Sequence, residues 1–127
     1  MPTTDQIRAA ANAYAESFVQ RDRERFMAAL ADDVEQIDPV GSTPNHGKDA
    51  LGGFFDTVMS SAERLEFEVR DLIVAVDEAA MVFHIVQHFA DGGGLIIDGV
   101  DIFRVNDDGK ITQIKGYVDP EHIRQPE

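Results

Sequence analysis

Hydrophobic positions in the first third of the chain recur at helical spacing. Ile7, Ala10, Ala11, Tyr14 and Phe18 fall at three- and four-residue steps and predict a helix with one apolar stripe. Thr3 followed by Gln6 has the form of a capping box at its start. A second, shorter helix is expected after Asp22 as N-cap, burying Phe26, Ala29 and Leu30. Ala31-Asp32-Asp33 then leads into a short alternating run, Val34 to Ile37. That run ends at Asp38-Pro39-Val40-Gly41, where Pro39 holds Asp38 extended. Residues 42–47 (STPNHG) have loop composition. Lys48 to Met59 reads as a third helix with Leu51, Phe54, Phe55 and Val58 on one side. Gly52 and Gly53 weaken it by roughly 1 kcal/mol each relative to alanine. They point either to close approach of something bulky or to simple packing.

From Leu65 the period changes to two. Leu65 to Val76, Ala80 to Ala90, Leu95 to Val105 and Lys110 to Val118 read as four strands. Asp77-Glu78, Asp91-Gly92-Gly93-Gly94 and Asn106-Asp107-Asp108-Gly109 are the hairpin turns between them. Three helices followed by a meander of long antiparallel strands is an α+β pattern. A curved sheet wrapping a helix pair would enclose a pocket. The tail after Asp119-Pro120 carries no clear pattern, and a frayed end is expected there.

Composition narrows the partners. The 127 residues form one domain, 1–127, long enough to bury a core. The longest apolar stretches fall well short of the roughly 20 residues that cross a bilayer. The N-terminus lacks a basic segment followed by an apolar one, so a cytoplasmic protein is expected. The absence of cysteine excludes disulfides, thiolate metal sites and a cysteine nucleophile. A formal charge of −13 argues against nucleic acid and anionic membranes, and the eleven Lys and Arg form no cluster for an acidic substrate. A neutral, apolar small molecule is the easier ligand.

Within the strand Gly-Val-Asp-Ile-Phe-Arg-Val, Asp101 shares a face with Phe103 and Val105, whereas Asp98 falls with Arg104 on the other face. An unpaired aspartate among apolar neighbours is costly when ionised, so it would be protonated and would donate a hydrogen bond. The alternative is a solvated face, or pairing with a strand neighbour. Asp38 suits either chemistry or an ordinary turn. Tyr14, on the buried helical stripe, needs a partner for its hydroxyl, which a carbonyl or water could equally supply. His84 and His88 share a strand face but lie too far apart to chelate one ion, so no metal site is expected. No phosphate loop or nucleophile elbow is present.

Taken together, Ala31-Asp32-Asp33, Asp38-Pro39-Val40-Gly41, His46-Gly47-Lys48, Phe54-Phe55, Val100-Asp101-Ile102-Phe103-Arg104, Asp108-Gly109-Lys110-Ile111 and Gly116-Tyr117 resemble the bacterial steroid Δ5-isomerases. These are ketosteroid isomerases of the NTF2-like (SnoaL-like) superfamily. The resemblance runs nearly end to end. It implies a cone in which three N-terminal helices pack on a curved, mixed but mostly antiparallel sheet around an apolar pocket. It assigns Asp38 as proton shuttle, and Tyr14 with a protonated Asp101 as oxyanion hole. Tyr14 and Asp38 are 24 positions apart, and Asp38 and Asp101 are 63 apart, as in the family. Phe18, Phe54, Phe55, Met81, Phe83, Phe103 and Val118 would surround a flat, steroid-like ketone. No cofactor or metal is implied, and a homodimer is. The outer sheet face with Val86, Val100 and Ile102 is a candidate for its interface.

The chain departs from that pattern in three places. Well-studied members brace the oxyanion-hole tyrosine with two further tyrosines where this chain has Leu30 and Phe55. A pocket-wall tryptophan of some members is Val118 here. The competing readings are another enzyme of the superfamily, such as a polyketide cyclase, and a non-catalytic binder of an apolar ligand. An epoxide-hydrolase reading is weaker, because the nearest arginine to Asp101, Arg104, has the opposite strand parity.

Overall fold

The computed structural model describes residues 1–126. Helix α1 (Thr4–Gln20) begins at the expected capping box. The Gln6 amide nitrogen donates to the Thr3 hydroxyl at 3.1 Å, and the Thr3 amide donates to the Gln6 side chain at 2.8 Å. Helix α1 stops where Arg21 turns into the left-handed region, and Asp22 caps α2 (Arg23–Ala28). Strand β1 (Leu30–Ile37) begins earlier than the alternation suggested, so Leu30 belongs to the sheet and not to the second helix. The reason lies across the sheet, where Leu30 pairs with Ile111 on β6 (Ile111–Tyr117).

Residues 42–47 are not wholly a loop. Asn45–His46 form a short strand, β2, antiparallel to β1. Helix α3 (Gly47–Ser61) follows. The close approach expected at Gly52 is α2: a Cβ there would lie 2.6 Å from Arg23 Nη2 and 3.5 Å from the Met27 sulfur. Gly53 meets nothing within 4 Å. Strands β3 (Arg64–Ala75), β4 (Glu78–His88) and β5 (Gly94–Val105) then form the meander that leads to β6.

The sheet order is β2-β1-β6-β5-β4-β3, with β1 and β6 parallel and the other neighbours antiparallel. The helices pack on its inner face. Phe26, Phe55 and Phe103 are fully or almost fully buried there, each worth roughly 1.5–3 kcal/mol of hydrophobic stabilisation. The tail corrects the expectation of a frayed end. Pro120–His122 form a single 3-10 turn, and β7 (Ile123–Arg124) pairs with Ile96 and Ile97 of β5. Strand β6 covers only the later half of β5, which leaves the earlier half an open edge for β7.

Candidate functional site

Alternation along β5 turns Asp101 inward, where it is 4% exposed. Its cross-strand partners are Met81 on β4 and Gly116 on β6. The parallel register of β1 on β6 pairs Gln36 with Ile114 and Ile37 with Lys115, and so carries Asp38 alongside Gly116. The Val40 amide donates to the Gly116 carbonyl at 2.8 Å and fixes this segment. Gly116 is what lets the carboxyl in. A Cβ there would stand 2.6 Å from Asp38 Cγ, in the space the carboxyl group occupies. Asp38 and Asp101 therefore flank one strand position from opposite sides.

Tyr14 arrives from α1. Its ring packs at 5.1 Å from Phe18 and Phe103 and 5.5 Å from Phe26, and it is 2% exposed. Tyr14, Asp38 and Asp101 line one cavity of about 300 Å³, with Phe18, Phe54, Phe83 and Val118 among its walls. A larger depression of about 570 Å³ adjoins it through Phe83 and Val118, is also lined by Val40, Arg70, Asp98, Gly116 and Tyr117, and touches none of Tyr14, Asp38 and Asp101.

The electrostatics follow from the absence, among the described residues, of any Lys, Arg or His from the cavity wall. Burial raises the Asp38 carboxyl above the usual range. Burial, reinforced by the Asp38 charge, raises Asp101 well above it. The Tyr14 hydroxyl is also pushed well up, by burial and then by the charges of Asp101 and Asp38, with the Gln36 amide acting in the opposite sense. Two carboxyls in one apolar recess without a cation favour one charge between them. Asp101 is the more buried of the two and holds its proton the more firmly.

Not every wall residue suggested by the sequence reaches the cavity. Phe55, Met81 and Phe103 are buried behind it, in a layer that supports Tyr14 and Phe18. Helix phase and strand parity give the correct side for these residues but not their depth, which depends on where neighbouring elements end. Val58, Leu65, Phe67, Ile85, Gln87, Ile97 and Ile123 line the cavity instead. Val58 is already on the apolar side of the third helix, one turn beyond Phe54, and Ile85 and Gln87 continue the parity of Phe83 along β4. Gly99 carries no local signal in the sequence. A Cβ there would fall 2.7 Å from Val118 Cγ2 and 2.8 Å from Phe83 Cζ, so glycine lets these two walls close. His84 and His88 bond instead to Asp98 and Glu66, each at 2.6 Å. Among the described residues no group of three or more His, Asp or Glu is placed to hold a metal ion. No helix among them is long and apolar enough to cross a membrane.

A family model described as SnoaL-like domain matches residues 11–114. The chain belongs to the SnoaL-like domain family. Among solved structures it is similar to Δ5-3-ketosteroid isomerase from Mycobacterium sp., with 28% identity and a TM-score of 0.87 over 95% of this chain and 98% of that one. It is also similar to RV0760c from Mycobacterium tuberculosis in complex with estradiol-17β-hemisuccinate, with 29% identity and a TM-score of 0.86 over 94% and 98% of the two chains. A third relative is a computationally designed 17-OHP binder, with 28% identity and a TM-score of 0.87 over 95% and 98%. The SnoaL-like assignment accounts for the three helices on a curved, mostly antiparallel sheet. One fold hosts many functions, so the chemistry has to be argued from the cavity.

Proposed function

We propose that this SnoaL-like protein is a steroid Δ5-isomerase, moving the Δ5 double bond of a 3-oxo steroid to Δ4. The observation that carries this reading is the pairing of Asp38 and Asp101 across Gly116 in a cation-free apolar cavity shared with Tyr14. The ionised Asp38 takes a proton from the carbon between the carbonyl and the double bond. The electrons move onto the carbonyl oxygen, giving a dienolate. Tyr14 and the protonated Asp101 donate hydrogen bonds to that oxygen, in a recess where such bonds gain strength from the low dielectric. Asp38 then returns the proton to the far end of the old double bond, and the conjugated enone forms. Protons and electrons balance within the substrate, so the steps need no cofactor. Phe18, Phe54, Phe83 and Val118 offer flat apolar contact, and Phe55, Met81 and Phe103 hold that wall from behind. A cavity of about 300 Å³ is at the small end of the roughly 300–1,000 Å³ of small-molecule sites.

The test is isomerisation of 5-androstene-3,17-dione, followed by growth of enone absorbance. Wild type should turn over, and Asp38→Asn should be slower by on the order of 10²–10⁴, because an amide cannot shuttle the proton. No turnover above buffer in wild type, or equal rates in the two proteins, would overturn the reading. The designed 17-OHP binder gives the second reading its support, since that relative is named for binding alone. A saturable steroid titration with no turnover would favour it.

The same reading takes the protein as a cytoplasmic homodimer. The support for the dimer is an apolar row on the outer sheet face, where Val82, Val100 and Tyr117 are aligned across three strands and Val82 and Tyr117 are exposed. Sedimentation velocity at micromolar concentration should give a dimer, and a monomer would remove this part.

A further inference from the structure

Gln36 is the one buried side chain with a polar atom left unpaired among the described residues. It lies on β1 with 0% exposure, on the inner face with Val34. A buried amide is costly unless both of its ends are satisfied. One end is: Asn45 Nδ2 on β2 donates to Gln36 Oε1 at 3.0 Å. That bond sets the orientation of the amide and leaves Nε2 as the free end.

The sheet register shows where that end is. Gln36, Ile114 and Phe103 form one row across β1, β6 and β5. The next inward row holds Asp38, Gly116 and Asp101. The Tyr14 ring packs on Phe103 at 5.1 Å, which sets the tyrosine over the row that Gln36 begins. An amide N–H turned towards the Tyr14 hydroxyl favours its ionised form, opposing the effect of burial.

We infer that Gln36 is a positioning residue for Tyr14: its Nε2–H donates to Tyr14 Oη while Tyr14 donates its own proton to a ligand oxyanion, and Asn45 holds the amide in that orientation. The inference rests on the reading above that Tyr14 is an oxyanion donor. Negative charge builds on Oη as the tyrosine shares its proton, and a donor to Oη stabilises that charge. The isomerases that this chain resembles use two tyrosines for this purpose. Their positions hold Leu30 and Phe55 here, both almost fully buried and without hydroxyls. In this chain the support comes from β1 instead.

Tyr14 and Tyr117 are the only tyrosines, so a Tyr117→Phe background grown with 3-fluorotyrosine reports Tyr14 alone by fluorine NMR. Gln36→Met, which keeps length and removes the donor, should shift the Tyr14 titration to higher pH. It should also weaken equilenin binding roughly tenfold or more, the size of one hydrogen bond to a charged group. Asn45→Ala, at the half-buried sheet edge, should move both readings the same way by less, and it serves if Gln36→Met fails to fold. An unmoved titration overturns the inference. So does a shift to lower pH, which would mean that the amide accepts from Oη and does not donate to it. The titration needs no substrate. A shift to higher pH in a protein that never isomerises a steroid would therefore sustain the Gln36–Tyr14 contact while sinking the isomerase reading.

Discussion

Asp98 and Asp101 stand three residues apart on β5, and the sheet gives them opposite chemistry. Asp98 faces outward, where Arg124 Nη1 lies 2.8 Å from it, His84 Nδ1 2.6 Å and Arg70 Nη1 3.8 Å. Its hydrogen bonds to Arg124 and His84 hold the carboxyl down to about 2. Asp101 faces inward among Met81, Gly116 and Phe103, with no cation on the cavity wall, and burial holds it well above the usual range. The outer aspartate is held in its anionic form by its partners, and the inner one is biased by burial towards its neutral acid form. Residue type decides neither role. Strand parity chooses the face, and the neighbours on that face choose the ionisation state.

The largest expected effect separates the two by rate. Asp101→Ala should lower the turnover number of steroid isomerisation by on the order of 10²–10³, as loss of an oxyanion donor does. Asp98→Ala should stay within about twofold, since its contacts lie on the outer face. Equal losses in the two variants would erase the distinction.

A smaller effect should appear in the pH dependence of melting. The folded-state pKa of Asp101 is raised, so its contribution to stability is full below the unfolded value near 3.8 and is lost as pH rises towards the raised value. Asp101→Asn cannot titrate, and its melting temperature should gain on wild type steadily from pH 4 to pH 8. The folded-state pKa of Asp98 is lowered, so its contribution is present above 3.8 and is lost as pH falls to about 2. Asp98→Asn should therefore melt below wild type at pH 7, with the gap closing towards pH 2. Scanning calorimetry across that range checks both slopes, and parallel curves would contradict both assignments.

The smallest effect concerns the tail that Asp98 anchors. Arg124→Ala removes an exposed ion pair worth at most about 1 kcal/mol. Melting should move by only a degree or two, while amide exchange at the β7–β5 pairing should quicken and ligand release from beneath Ile123 should speed up a few-fold. Unchanged exchange would mean that backbone pairing alone holds the strap.

Much of this contrast was legible in the sequence, because alternation is a local property. The opposite faces of Asp98 and Asp101 follow from their spacing alone, and the stripe on the first helix already carries Tyr14. The convergence of Tyr14, Asp38 and Asp101 was legible only through resemblance, since no local pattern measures the distance between a helix, a strand end and a strand centre. Phe55, Met81 and Phe103 mark the same boundary. Their phase put them on the inner side, but the cavity ends in front of them. Ile123 and Arg124 gave no signal, because a two-residue strand has no period and forms only where β6 leaves the edge of β5 uncovered.

The sequence by itself determined the α+β order, the capped helices, the faces of the long strands and the acidic, cysteine-free character that points to a neutral ligand. Only the tertiary structure decided that Asp38 enters over Gly116, that the buried Gln36 amide keeps an unpaired nitrogen, and that Ile123 of the tail lines the cavity. Each of these depends on the register between strands distant in the chain. Register sets which groups are buried together, and burial among particular neighbours sets whether a carboxyl is a charge or a donor.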